Sequence, residues 1–217
     1  SGRTGSPVLK RGFDLLVATV ALLLLAPLLL GVALAIKLDT PGPVFFRQLR
    51  VGRGGRLFRI HKFRTMAHAP AAEGPLLTVG ADARVTRVGA FLRHAKWDEL
   101  PQLFNVLRGD MSLVGPRPEV PRYVAQYPAD VRQAVLSVRP GITDLASIEF
   151  RDESALLARS QDPERTYVEQ VLPAKLRHAQ QYVRTHSLWL DLRIIARTVW
   201  AVLGLSIARP PDSADSP

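Results

Sequence analysis

From Leu15 to Ile36 the chain runs for twenty-two residues without a charge. As a helix such a run is roughly 33 Å long, about the thickness of a bilayer's hydrocarbon core. Apolar residues cover every side of it, which suits lipid and not the flank of a water-soluble domain. The chain is therefore expected on a membrane, with everything else folded around this segment. Two features bear on how it sits. Pro27, with Ala26 before it, leaves the Leu23 carbonyl without a helical donor and pushes Ala26 out of the α region, which predicts a sharp break. Arg3, Lys10 and Arg11 precede the run, and Lys37, Arg47, Arg50, Arg53, Arg56 and Arg59 follow it. Positive charge favours the cytoplasmic side, and here both flanks carry it. A re-entrant helix with both ends cytoplasmic satisfies both; a kinked span is the alternative, since spans tolerate proline. The run is too long for a cleaved signal peptide, and no small-residue cleavage site follows it.

The 217 residues leave room for one ordinary globular domain besides this segment. Their net charge of +10 suits anionic headgroups, nucleotide phosphates or nucleic acid. No helix-turn-helix, RNP or zinc-finger pattern supports nucleic acid, so no such partner is expected. The chain has no cysteine, which excludes disulfides and thiolate metal sites. His61, His68, His94, His178 and His186 lack metal-ligand spacing and read as ordinary surface histidines.

Along the chain, residues 1–7 read as a disordered polar leader, 8–39 as the membrane helix, 40–207 as the domain and 208–217 as a disordered tail. Thr40-Pro41-Gly42-Pro43 stops the helix. Val44 to Phe46 and Leu57 to Phe63 predict a hairpin about the turn Gly52 to Gly55. Met66 to Pro75 reads as a loop and Val85 to Arg93 as a helix. A further helix is expected from Asp98, as N-cap, to Gly109, and Met111 to Val114 as a short buried strand. Helical stretches follow near 120–126 and 129–138, Pro140-Gly141 breaks the chain, and 163–186 reads as a polar helix. Trp189 to Leu205 is apolar but interrupted by Asp191, Arg193 and Arg197. It is expected to lie in the interface plane with its tryptophans at headgroup depth, an ordinary core helix being the alternative.

Adjacent carboxylates at Asp98 and Glu99 can divide labour, one as nucleophile and one as base or magnesium ligand. The plainer reading is a helix cap followed by a first-turn acid. Lys62 and Arg64 end a strand, Arg93 lies shortly before Asp98, and Arg117 sits in Gly115-Pro116-Arg117-Pro118. Cations fixed near turns suit phosphate recognition.

In order, the chain presents the apolar segment, Pro-Gly-Pro, Phe-Arg-Gln-x-Arg-x-Gly and Lys-Phe-Arg-Thr-Met. Asp-Glu-Leu-Pro-Gln-Leu-x-Asn-Val-Leu-x-Gly-Asp-Met-Ser-Leu-Val-Gly-Pro-Arg-Pro and Arg-Pro-Gly-Ile-Thr follow. Over roughly residues 8–205 this resembles the bacterial sugar transferase family, the small monotopic polyprenyl-phosphate phosphoglycosyl transferases. The resemblance implies an α-rich α/β fold with a small β-hairpin or sheet, a re-entrant membrane helix broken at Ala26-Pro27 and amphipathic interface helices. It implies transfer of a sugar 1-phosphate from a UDP-sugar to undecaprenyl phosphate, with release of UMP, through a phosphosugar–aspartyl intermediate. Asp98 would be the nucleophile and Glu99 its partner, with Mg2+ on either or both. Lys62, Arg64, Arg93 and Arg117 would bind the anions. The setting would be the cytoplasmic face of a bacterial inner membrane, among its lipids, at an early step of glycan assembly; a homodimer is left open. A non-catalytic membrane scaffold or lipid-binding protein is the rival. Two departures stand out: Ala26 where the family often has serine, and the run Asp144 to Glu153 where many members carry a different motif. The second leaves the sugar open.

Overall fold

The computed structural model describes residues 6–67, 82–146 and 153–202. Helix α1 spans Pro7–Asp39. A hairpin follows, β1 Phe45–Val51 and β2 Leu57–Phe63. Next come α2 Arg87–Ala95, a 3-10 turn Trp97–Glu99, α3 Gln102–Arg108 and β3 Ser112–Val114. Short helices α4 Pro121–Val124 and α5 Ala129–Val135 lead to β4 Gly141–Thr143. The described chain ends with α6 Glu153–Ala158, α7 Pro163–Thr166, a π turn Tyr167–Val171, α8 Leu172–Thr185 and α9 Leu188–Val202. Most of the loop expected at 66–75, the tail at 208–217 and residues 147–152 of the divergent run lie outside the described residues.

The break expected at Ala26-Pro27 does not end α1, which stays helical through Pro27. Proline forfeits one hydrogen bond, and the bonds on either side carry the helix across. At 33 residues α1 is roughly 50 Å long, and it is the one described helix long and apolar enough to cross a membrane. Both of its ends are fastened to the same domain. Near the start, the Asp14 carboxylate accepts the Ser112 hydroxyl at 2.8 Å and the Leu113 N–H at 3.2 Å. Lys10 donates to Asp191 at 2.5 Å, and Arg11 to the Val106 and Leu107 carbonyls. At the far end, Arg64 donates to the carbonyls of Ile36, Thr40 and Pro41, and Asp39 accepts the Val88 N–H. Ala18 joins one apolar core with Leu103, Val106 and Ile194; Val32 and Ile36 join another with Phe63 and Leu92. Between these anchors Leu23, Leu24 and Leu30 stand more than 70% exposed. An exposed apolar stretch of that size is of the kind that a membrane or a protein partner covers.

The hairpin is antiparallel, in register from Phe45↔Phe63 to Val51↔Leu57. Its turn needs glycine, since Gly54 and Gly55 have φ of 66° and 79°. Strand β1 extends past the expected Phe46 to Val51 because pairing with β2 holds its polar residues in extended form. Asn105 of α3, fully buried, accepts the His61 N–H and donates to the Arg59 carbonyl, locking α3 to β2. The break expected at Pro140-Gly141 is instead the start of β4, which pairs parallel with β3. That approach leaves no room for side chains: a Cβ on Gly141 would fall 2.1 Å from the Gly115 nitrogen, and one on Gly115 2.4 Å from the Arg139 carbonyl oxygen.

The helix expected at 163–186 contains the π turn immediately before Pro173. Proline's missing N–H and its ring disfavour a regular α turn there, and the Leu172 N–H reaches back to the Tyr167 carbonyl. Helix α9 turns its acidic charge inward: Asp191 is fully buried, paired with Lys10 and accepting the Tyr182 hydroxyl at 2.7 Å. Its other face exposes Trp189, Leu192, Val199 and Trp200. The helix thus serves the core on one side and on the other offers a mixed face of tryptophans and the exposed Arg193 and Arg197, the Arg193 guanidinium lying over the Trp189 ring.

Candidate active site

Asp98 and Glu99 do not cap a helix as expected. They lie in the 3-10 turn between α2 and α3, where the Leu100 N–H bonds the Trp97 carbonyl three residues back, and α3 begins only at Gln102. Lys96 precedes them in the left-handed region at φ 59°, which turns the chain sharply after α2. What gathers around the acids is side-chain charge. The Lys62 ammonium on β2 donates to Glu99 Oε1 at 2.7 Å. Arg117, in the turn after β3, donates to Oε1 at 2.6 Å through Nη2 and to Oε2 at 3.5 Å through Nη1. One buried carboxylate thus holds two cations from separate elements. Arg93 of α2 is oriented by its Nε donating to the Thr65 hydroxyl at 2.8 Å. Thr65 is itself pressed against α2, where a Cβ on Gly89 would come within 2.0 Å of its carbonyl oxygen.

The two acids differ sharply. Burial alone would raise the Glu99 carboxyl, but Arg117 and Lys62 outweigh it and hold Glu99 well below the usual carboxylate range. Asp98 goes the other way: burial, reinforced by the neighbouring Glu99 charge, raises it against the pull of Lys62, Lys96 and Arg93. Among the described residues no hydrogen bond reaches the Asp98 carboxylate. Burial lowers Lys62, with Glu99 opposing, whereas Glu99 raises Arg117. Glu99 is therefore a committed counter-ion, and Asp98 is an uncommitted carboxylate beside fixed positive charge. No group of three His, Asp or Glu among the described residues could hold a metal alone. A magnesium ion held by one or two carboxylates and completed by substrate phosphates nevertheless fits this donor set. The unshared Asp98 carboxylate, disfavoured as an anion where it lies, is what such a cation would neutralise.

Three of the four expected cations meet here with the acids' own turn: Lys62 and Arg117 on Glu99, and Arg93 and Lys62 within electrostatic reach of Asp98. Arg64 does not join them. It is nearly fully buried and spends its guanidinium on the carbonyls of Ile36, Thr40 and Pro41, so it is a clamp on the C-terminal end of α1. Ala26 and Pro27 lie mid-helix.

A family model described as bacterial sugar transferase matches residues 5–205. The chain belongs to that family. It is 42% identical over 197 residues to the UDP-N-acetylgalactosamine-undecaprenyl-phosphate N-acetylgalactosaminephosphotransferase of Aeromonas hydrophila, covering 90% of this chain and 44% of that protein. It is 40% identical over 199 residues to the UDP-glucose:undecaprenyl-phosphate glucose-1-phosphate transferase of Xanthomonas campestris pv. campestris, covering 90% and 39%. The chain thus spans less than half the length of these two relatives. The exopolysaccharide production protein PSS of Rhizobium leguminosarum bv. phaseoli is 39% identical over 208 residues, covering 88% of this chain and 94% of that protein.

For this bacterial sugar transferase, local patterns do not disclose the residues that support Arg117. Its backbone N–H donates to the buried Asp144 carboxylate at 3.3 Å. Arg50 donates to the Pro118 carbonyl at 2.9 Å and faces Glu119 at 3.6 Å, and Tyr167 donates to Glu119 at 2.7 Å. The one visible signal is an acid immediately after Pro-Arg-Pro.

Proposed function

We propose that the protein transfers a sugar 1-phosphate from a UDP-sugar to undecaprenyl phosphate and releases UMP, by way of a phosphosugar–aspartyl intermediate on Asp98. The observation that carries this is the division between the two acids: Glu99 spent on Lys62 and Arg117, Asp98 unshared beside them. The donor's diphosphate lies against Arg117, Lys62 and Arg93. An Asp98 oxygen attacks the phosphorus bearing the sugar, the phosphoanhydride bond breaks, and its electrons leave on UMP. An oxygen of the lipid phosphate then attacks the acyl phosphate, and the Asp98 carboxylate is the leaving group. No proton need move in either displacement. Fixed cations matter most, because charge spreads over the transferred oxygens in both transition states. Magnesium, held through Asp98 or Glu99 and the substrate phosphates, would add charge neutralisation there. The names of the relatives suggest UDP-glucose or UDP-N-acetylgalactosamine as donors to try first.

The setting we propose is the cytoplasmic face of a bacterial inner membrane, with both ends of α1 on that side and a bend of the continuous helix at Pro27 turning it back. Fastening of both ends of α1 to one domain supports this. In a protein carrying single cysteines at Ser6 or Leu38, an impermeant thiol reagent should label both positions from the cytoplasmic side only; labelling from opposite sides would establish a span. For the reaction, purified protein with magnesium, undecaprenyl phosphate and each UDP-sugar should release UMP with one donor. Silence with every donor, together with no donor-dependent mass adduct, would overturn the transferase reading.

A further inference from the structure

Strand β3 leads straight into the turn that carries Arg117, and α1 grips that strand residue by residue. Lys10 and Asp14 lie about one turn apart on the same face of α1. The Asp14 carboxylate takes the Ser112 hydroxyl and the Leu113 N–H, and the Lys10 ammonium donates to the Val114 carbonyl at 3.2 Å. Asp191 of α9 holds Lys10 in that place. The Tyr182 hydroxyl of α8 stands 2.7 Å from Asp191 and 3.0 Å from the Val114 carbonyl oxygen, and its single proton can turn to either. Asp14, Val114 and Asp191 are buried, so water does not compete for these bonds.

Between Val114 and Arg117 the backbone has no slack. The Gly115 N–H donates to the Thr143 carbonyl at 3.1 Å, the Pro116 carbonyl accepts the Gly141 N–H at 3.0 Å, and the Arg117 N–H donates to Asp144. These bonds make β3, β4 and the Arg117 turn one body. Helix α9 touches that body again at β4, where the Thr143 and Thr198 hydroxyls are 2.7 Å apart. The body therefore rests on α1 and α9, and a shift at Val114 is passed on to Arg117. A planar guanidinium feels such a shift strongly, because both arms of its fork must meet their acceptors at once.

We infer that Lys10 and Asp191 are positioning residues for Arg117, setting the place of the guanidinium from the junction of α1 and α9. The inference rests on the transferase reading above, in which the donor's diphosphate lies against Arg117. It couples the seat of the apolar helix to the site of a water-soluble substrate.

The test follows the first half-reaction alone. Lys10→Met keeps the stem and removes the ammonium. Formation of the UDP-sugar-dependent adduct without acceptor is followed by intact mass, and its final amplitude counts the competent sites. Per competent site, donor kcat/KM for adduct formation should fall about tenfold. Asp191→Asn, which keeps an oxygen for the Tyr182 hydroxyl, should show a smaller loss in the same direction. A purely structural role would lower the amplitude and the melting temperature but leave the rate per competent site alone. In an Arg117→Lys background the loss from Lys10→Met should shrink to under about threefold, since an ammonium on a flexible stem tolerates a displaced backbone. Wild-type rates per competent site in both Lys10→Met and Asp191→Asn would overturn the inference alone, as would an undiminished loss in the Arg117→Lys background. A wild-type protein that forms no adduct with any donor would overturn the transferase reading and this inference with it.

Discussion

Asp98→Asn is expected to abolish the donor-dependent mass adduct and to cut UMP release by at least about a thousandfold, because an amide neither attacks phosphorus nor leaves as a carboxylate. The fold should not suffer. Burial and Glu99 raise the Asp98 carboxyl above its ordinary value near 4. A raised carboxylate favours the folded state while protonated, and that advantage is lost as pH rises through the folded value. At neutral pH the ionised Asp98 is thus a burden, and the asparagine variant should melt at or above the wild-type temperature. In acid, where Asp98 is protonated in both states, the difference should vanish. Differential scanning calorimetry across pH, beside intact-mass analysis, checks both halves. Full turnover by the asparagine variant would remove Asp98 from the chemistry.

Glu99→Gln should behave in the opposite sense. The glutamate is the shared counter-ion of Lys62 and Arg117, and glutamine leaves both cations without it. Removing one partner of a fully buried ion pair costs about 3–5 kcal/mol, and these partly exposed pairs should cost less, roughly 1–3 kcal/mol. Because Glu99 is held well below the usual range, its contribution is present above the unfolded value and lost as pH falls through the folded one. The variant should therefore be most destabilised near neutrality and converge on wild type in strong acid. Donor kcat/KM should fall roughly a hundredfold as the two cations lose their fixed positions. A change in stability of under about 1 kcal/mol, measured by denaturant titration, would show that the pair contributes as little as an exposed one.

Elements whose residues carry their own instructions were legible beforehand. The hairpin is written in alternating apolar residues about a turn that only glycines can make, and α2 in Val88 and Leu92 behind a Thr86 cap that accepts the Gly89 N–H. Arg117 was legible because two prolines flank it. Partnerships distant in the chain were not. Nothing local marks Gly141 to Thr143 as a strand, since its partner lies nearly thirty residues upstream and the pairing depends on bare glycines meeting. Arg64 follows Lys62 by two residues, the spacing that puts side chains on one face of a strand. Pairing with β1 ends at Phe63, however, and beyond it Arg64 turns to α1. Asp98 looked like a cap because local pattern cannot tell a 3-10 turn from the first turn of the helix that follows it. Asp191 looked like a headgroup-level charge because its cation lies at the opposite end of the chain.

That last pairing also sets an order for how the protein is made. Lys10 reaches Asp191 across 181 positions, and Asp14 reaches Ser112 across 98. With ribosomes adding roughly 5–20 residues per second, Asp191 follows Lys10 by on the order of ten to forty seconds. Arg11 and Asp14 find their partners once α3 and β3 are made, but Lys10 lacks its own throughout that interval. An unpaired ammonium resists an apolar environment, so Lys10 stays solvated until α9 is synthesised. A chain cut short before α9 keeps the Arg11, Asp14 and Arg64 anchors of α1 but lacks the Lys10–Asp191 pair, so the last of the helix's fastenings forms only once α9 is made.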